Sequence, residues 1–172
     1  EYLSDTCSKK YFKDLDVKYQ QRIYRTQLAV NVLDARSPKK VIYDIFRRIN
    51  TGGMKLNPQE MRNAICKPQV RLFLKKSIQN INYLKATRKL VKDDRMDAQE
   101  LALRFYAFYL TYDFEKEKLT YDYKNVSSML DDKIELLNEM NKEKLEQLYD
   151  KFDTAMKRCY QVFGKYCFTK IS

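Results

Sequence analysis

The sequence predicts a mainly α fold: a multi-helix bundle with one N-terminal strand at about residues 24–33. Three observations carry this. Apolar residues recur at helical spacing along most of the chain, between recognisable cap residues. Gly and Pro number three each in 172 residues, so few positions break a helix. Strict alternation of apolar and polar residues, the mark of a half-buried strand, occurs in one segment.

In that segment Tyr24, Thr26, Leu28, Val30 and Val32 fall on one side, with Arg25, Gln27 and Asn31 on the other. A strand must pair its backbone N–H and C=O groups with a neighbour, and no second segment of comparable quality is found. A partner strand is therefore expected from outside this chain or from another copy, which leaves room for an oligomer. The chain opens Glu1-Tyr2-Leu3 without an initiator Met and so reads as part of something longer.

Ser37-Pro38 reads as an N-cap with Pro at the first helical position. Val41, Ile42, Ile45, Phe46 and Ile49 form the apolar stripe of the helix that follows, with Arg47 on the wet side and Arg48 at the border. Asn50-Thr51-Gly52-Gly53 stops it, where φ > 0 or close backbone approach is cheap. Asn57-Pro58-Gln59-Glu60 is a capping box, with Leu56 and Met61 as its hydrophobic staple. Lys67-Pro68 ends that helix and begins another, carrying Val70, Phe73, Leu74 and Ile78. A polar stretch over residues 86–94 connects onward. Asp97-Ala98-Gln99-Glu100 looks like a further capped start, leading into Leu101, Phe105, Phe108, Tyr109 and Tyr112. Ser127 or Ser128 opens a helix with Leu130, Ile134, Leu137 and Met140. The clearest stripe is the last, from Leu145, Leu148, Tyr149 and Phe152 through Met156, Cys159, Tyr160 and Phe163 to a stop at Gly164. Most of the 14 Tyr and 9 Phe fall on such stripes and are read as core. Tyr121-Asp122-Tyr123-Lys124 is the exception, interleaving tyrosine with charge.

Composition narrows the function classes. Residues 1–92 hold 21 Lys and Arg against 7 Asp and Glu, an imbalance that suits an anionic partner, nucleic acid or nucleotide phosphate. No apolar run approaches the length of a membrane span, and nothing resembles a signal peptide. The four cysteines are far apart and His is absent, which argues against zinc and for reduced thiols in a cytoplasmic protein. Without His there is no Ser-His-Asp or Cys-His machinery, and no phosphate loop of the G-x-x-x-x-G-K-[ST] kind is present. Asp93-Asp94 and Asp131-Asp132 read as helix-start or solvated charge. Alone, the chain is not expected to be a complete enzyme.

What stands out is the segment 46–63. It joins Arg47 and Arg48, a Gly-Gly turn with free backbone donors and the N-terminus of a new helix, a combination that can hold an anion. A plain helix-turn-helix connection whose polar residues only cap explains the same residues.

The run Ile45-Phe46-Arg47-Arg48-Ile49-Asn50-Thr51-Gly52-Gly53, followed by Leu56-Asn57 and Glu60-Met61-Arg62-Asn63, resembles the "F-x-R-I-N-T-G-G…L…E-x-R-N" signature of GmrSD-type restriction-system N-terminal domains. Arg95-Met96-Asp97-Ala98-Gln99-Glu100-Leu101-Ala102-Leu103-Arg104-Phe105 resembles that family's "R-x-D-x-E-x-x-L-R-F" helix, and Phe152 through Phe163-Gly164 to Phe168 its closing segment. The family's hallmark D-G-Q-Q-R motif, tied to nucleotide hydrolysis, is not here; Tyr19-Gln20-Gln21-Arg22 has only its last three letters. The resemblance therefore implies the C-terminal, helical part of a domain similar to ParB and sulfiredoxin. Residues 1–66 would be the end of the ParB-like part, 67–172 the helical part, and the missing N-terminal part a partner. Asn50 with Leu56-Asn57-Pro58-Gln59-Glu60 is similar to a ParB nucleotide box. By that analogy Asn50 would face phosphate or its Mg²⁺, Arg48 would assist electrostatically, Gly52 and Gly53 would let the backbone approach, and Glu60 would belong to the same nucleotide-binding box, where it is also the cap partner. The implied whole is an NTP-dependent restriction or phage-defence protein, with NTP and Mg²⁺ as cofactors of the parent and DNA as its partner. The reading that needs no family is a non-enzymatic nucleic-acid-binding or protein-interaction module.

Overall fold

A computed structural model describes residues 7, 10–28, 30, 32, 41, 45, 48, 55–120 and 124–168. Helices dominate it, as the patterning predicts; seven lie wholly within the described residues, beside one two-stranded hairpin. The chain divides into two compact units, Glu1–Ile42 and Tyr43–Ser172.

In the first unit a 3-10 turn at Phe12–Asp14 leads into helix α1, Val17–Tyr24. The Gln20 side-chain amide donates to the carbonyls of Phe12 (3.1 Å) and Leu15 (2.9 Å), and the Phe12 and Tyr24 rings meet edge to face. The strand expected at residues 24–33 is not formed by the described residues of that segment. Tyr24 ends α1, Thr26 bonds back to Arg22 and Ile23, and Leu28, Val30 and Val32 lie outside any strand, 75–88 % exposed. Alternation makes a strand only where a neighbouring strand accepts its backbone bonds, and the helical turn takes those of residues 25 and 26 instead. The Ser37-Pro38 start lies outside the described residues, whereas Val41, Ile45 and Arg48 are helical.

The second unit runs through α2 (Pro58–Ile65), α3 (Pro68–Ile78), α4 (Ile81–Ala86) and α5 (Asp97–Thr111). A hairpin of β1 (Tyr112–Asp113) and β2 (Lys118–Leu119) follows, antiparallel, with Tyr112 opposite Leu119. Next come α6 (Val126–Glu139), α7 (Lys142–Phe163) and a closing 3-10 turn, Gly164–Tyr166. Local chemistry starts these helices. Pro58 and Pro68 occupy the first position of α2 and α3, and Asn57, Asn80, Asn125 and Asn141 each accept a backbone N–H as cap. The cap of α6 is thus Asn125 rather than Ser127 or Ser128, and α5 starts after Met96, held at φ 64°, rather than on an Asp97 cap.

The core gathers Val70 and Leu74 of α3, Leu103 and Tyr106 of α5, Leu130 and Ile134 of α6, and Phe152 of α7, all 1 % exposed or less. Burying such side chains contributes about 1.5–3 kcal/mol each. Phe152 sits centrally, with the rings of Tyr83, Phe105 and Tyr106 between 5.2 and 5.7 Å away. Helix α5 turns Ala98, Ala102, Leu103, Tyr106 and Ala107 fully inward; of the predicted stripe, Leu101, Phe105 and Tyr109 pack half-buried against this core, while Phe108 is exposed. Among the described aromatic residues only Phe73, Tyr83, Tyr106 and Phe152 are fully in the core, which corrects the expectation that most of them would be.

Candidate functional site

The capping box at α2 forms as the sequence predicts. The Asn57 side chain accepts the Glu60 N–H (2.8 Å), and the Glu60 carboxylate accepts the Asn57 N–H (2.6 Å). A residue 35 positions away then completes it. Arg95, just before α5, grips Glu60 through both carboxylate oxygens at 3.1 and 2.6 Å. The same guanidinium donates to the Lys55 carbonyl at 2.7 Å, and the Asn57 amide donates to the Arg95 carbonyl at 2.7 Å. The Arg95 guanidinium, then the Asn57 N–H, hold the Glu60 carboxyl below its ordinary range.

Of the five sequence candidates, Arg48 is helical and exposed, and Asn50, Gly52 and Gly53 lie outside the described residues. Glu60 is placed in the clamp. Both of its oxygens are engaged by Arg95 and one also by Asn57, so it fills the N-terminus of α2 with a carboxylate of its own.

A second cluster is built on Arg62, two residues further along α2. Arg62 is 1 % exposed, a charge that survives burial only with partners. Its Nε donates to Asp131 of α6 at 2.7 Å, Nη1 to Glu100 of α5 at 3.3 Å, and Nη2 to the Ser127 hydroxyl at 2.6 Å and carbonyl at 3.2 Å. Glu100 is shared, its other oxygen accepting from Arg104 at 2.6 Å. Helices α2, α5 and α6 thus converge on one guanidinium. Sequence reasoning missed this, because a charged residue on a helix reads as solvated unless its partners are known; the signal available was its place in the first signature block. Asp131 is thereby explained as an ion-pair partner, and Asp93 accepts from the Gln99 backbone and side chain at 3.2 and 2.8 Å.

The aromatic stripe of α5 has a different fate. Phe105, Phe108 and Tyr109, with Phe114 of the hairpin, Met156 of α7 and Phe168, line an open apolar groove of about 600 Å³. Among the described residues, no three His, Cys, Asp or Glu side chains are grouped to hold a metal ion, and no helix is long and apolar enough to cross a membrane. No protein-family model matches the chain, and no curated protein or solved structure matches it.

Proposed function

We propose that this chain is the helical, non-catalytic portion of an NTP-dependent restriction or phage-defence protein. Its segment with Arg48, Asn50, Gly52 and Gly53 contributes contacts to a nucleotide phosphate, and its basic first half faces DNA. The clamp at the exit of that segment is the observation that supports this reading best. Arg95, from the second signature block, ties the Lys55 carbonyl and Glu60 of the first block into one bonded unit. A phosphate-binding turn gains from such an anchor, because backbone donors that are already oriented lose less conformational freedom on binding. Glu60, Arg62, Arg95 and Glu100 all belong to quoted signature blocks and all serve as scaffold, which is how a motif spread over some forty positions can describe one architecture. In this reading Glu60 leaves the nucleotide set.

The test is nucleotide titration of the full-length parent protein, wild type against Arg48→Ala and Asn50→Ala. Loss of a charge-assisted or phosphate-facing bond is expected to weaken binding roughly tenfold or more in each. Unchanged affinity in both removes the reading. DNA affinity should also fall steeply as salt rises, and a flat response removes the DNA part. A non-enzymatic protein-interaction module is the second reading, favoured by the exposed aromatic groove.

A further inference from the structure

The C-terminal end of α7 carries a pair of thiols that neither the clamp nor the proposed nucleotide contacts use. Helix α7 ends at Phe163, and Gly164, at φ +51°, turns the chain back along the last turn of the helix. Glycine suits this position, because a side chain there would be strained. The 3-10 turn that follows brings Cys167, 3 % exposed, against Cys159, with the two sulfurs 3.5 Å apart. The Cys159 thiol donates to the Cys167 sulfur, and the Cys167 thiol donates to the Cys159 carbonyl at 3.0 Å. Two hydrogen bonds therefore keep the sulfurs facing each other. A disulfide, at ~2.05 Å, asks them to close about 1.5 Å more.

The residue after Cys167 gives the pair its context. Phe168, itself at φ +53°, lines the aromatic groove, so the turn that presents Cys167 also positions one wall of that groove. We propose that Cys159 and Cys167 form a reversible intrachain disulfide that fixes Phe168 as a wall of the aromatic groove.

The oxidant is a low-molecular-weight disulfide of the glutathione class. Burial, and then the facing Cys167, raise the Cys159 thiol above its ordinary value, so the exchange is run at alkaline pH, where Cys159 gives its proton to solvent and its sulfur attacks one sulfur of the small disulfide, breaking that S–S bond and releasing one small thiol. The Cys167 thiol then gives up its proton and attacks the Cys159 sulfur of the mixed disulfide, releasing the second small thiol. The two cysteines lose two electrons and two protons, and the oxidant is reduced to two thiols. Excess dithiol returns the pair to two thiols and is itself oxidised to its disulfide.

The test treats the intact chain with oxidised glutathione, quenches it with an alkylating reagent, and reads mass and peptide linkage without reduction. The expected product has lost about 2 Da before alkylation, keeps two of its four thiols, links the Cys159 and Cys167 peptides, and returns to four thiols with dithiothreitol. Cys159→Ala and Cys167→Ala should each abolish that product, while Cys66→Ala should not. Four surviving thiols, a stable glutathione adduct at either residue of the wild-type pair, or a bridge to Cys7 or Cys66 would each overturn the disulfide. Its effect on the groove is read with an environment-sensitive apolar dye. Oxidised and reduced chains should differ in dye affinity by roughly threefold, as expected when one wall is pre-ordered, and Phe168→Ala should remove the difference. Equal affinities would overturn the coupling to the groove.

Discussion

Arg62→Ala asks most directly whether the charge cluster holds the second unit together. The guanidinium is 1 % exposed, but its carboxylate partners are not so deeply buried, with Glu100 at 23 % and Asp131 at 37 %. Truncation therefore leaves two acids that can turn toward water, and the ~3–5 kcal/mol cost of stranding a buried charge must be discounted for that screening. Other losses remain. Hydrogen bonds to charged groups contribute about 1.5–3 kcal/mol apiece, the Ser127 carbonyl and hydroxyl lose their donor, and a cavity opens where the guanidinium stood. Together these give an expected loss of about 2–4 kcal/mol. For a chain of this size 1 kcal/mol moves Tm by about 2–4 °C, so a loss near the middle of the range lowers it by roughly 6–12 °C. Urea unfolding followed by circular dichroism measures the free energy, and thermal melting gives the second reading. Arg62→Lys should recover less than half, since a single ammonium cannot fork to three partners. A loss below about 1 kcal/mol for Arg62→Ala would show that the cluster is not a structural tie between α2, α5 and α6.

Two further substitutions address the clamp. Asn57→Ala removes both the cap acceptor and the donor to the Arg95 carbonyl, so a loss of about 1–2 kcal/mol is expected; Asn57→Asp keeps the acceptor and should restore most of it. An unchanged melting temperature for Asn57→Ala refutes the capping role. Glu60 is held below its ordinary value of 4.5 by Arg95, so the unfolded chain takes up the proton more readily than the folded one. Its contribution to stability is full above that value and is lost as pH falls from about 4.5 through the lower folded value. Glu60→Gln should therefore melt below wild type at pH 6 and converge with it toward pH 3. A gap that stays constant across that range would mean that the Glu60 charge does not stabilise the clamp.

Much of the helical architecture was legible because the signals are local. Asn57 and Glu60 cap each other three residues apart, Pro58 and Pro68 take first positions that need no N–H, and Gly164 ends α7, all decided by near neighbours in the chain. The failures are of another kind. The alternation from Tyr24 to Val32 specifies a strand only if a second strand is at hand, and no local feature supplies one. Helix α5 shows large aromatic side chains on one face and alanines on the next, and hydrophobicity alone chooses the aromatic face. In the fold the alanines are fully buried, Phe105 and Tyr109 pack half-buried beside them, and with Phe108 they line a groove. For the candidate site, the capping residues were readable, but the grip of Arg95 on Glu60 and Lys55 was not.

By itself, then, the sequence determined where helices start and stop and that helices would dominate, since capping and periodic burial act within one or two turns. Tertiary structure alone decided which charges are buried, which aromatic face is left open, and which two thiols meet. Arg62, Glu100 and Asp131 come from three helices, and only packing brings them to one place. A guanidinium can stay in a dry interior when its carboxylates arrive with it, and their arrival depends on contacts between residues 38 and 69 positions apart, which no short stretch of sequence encodes.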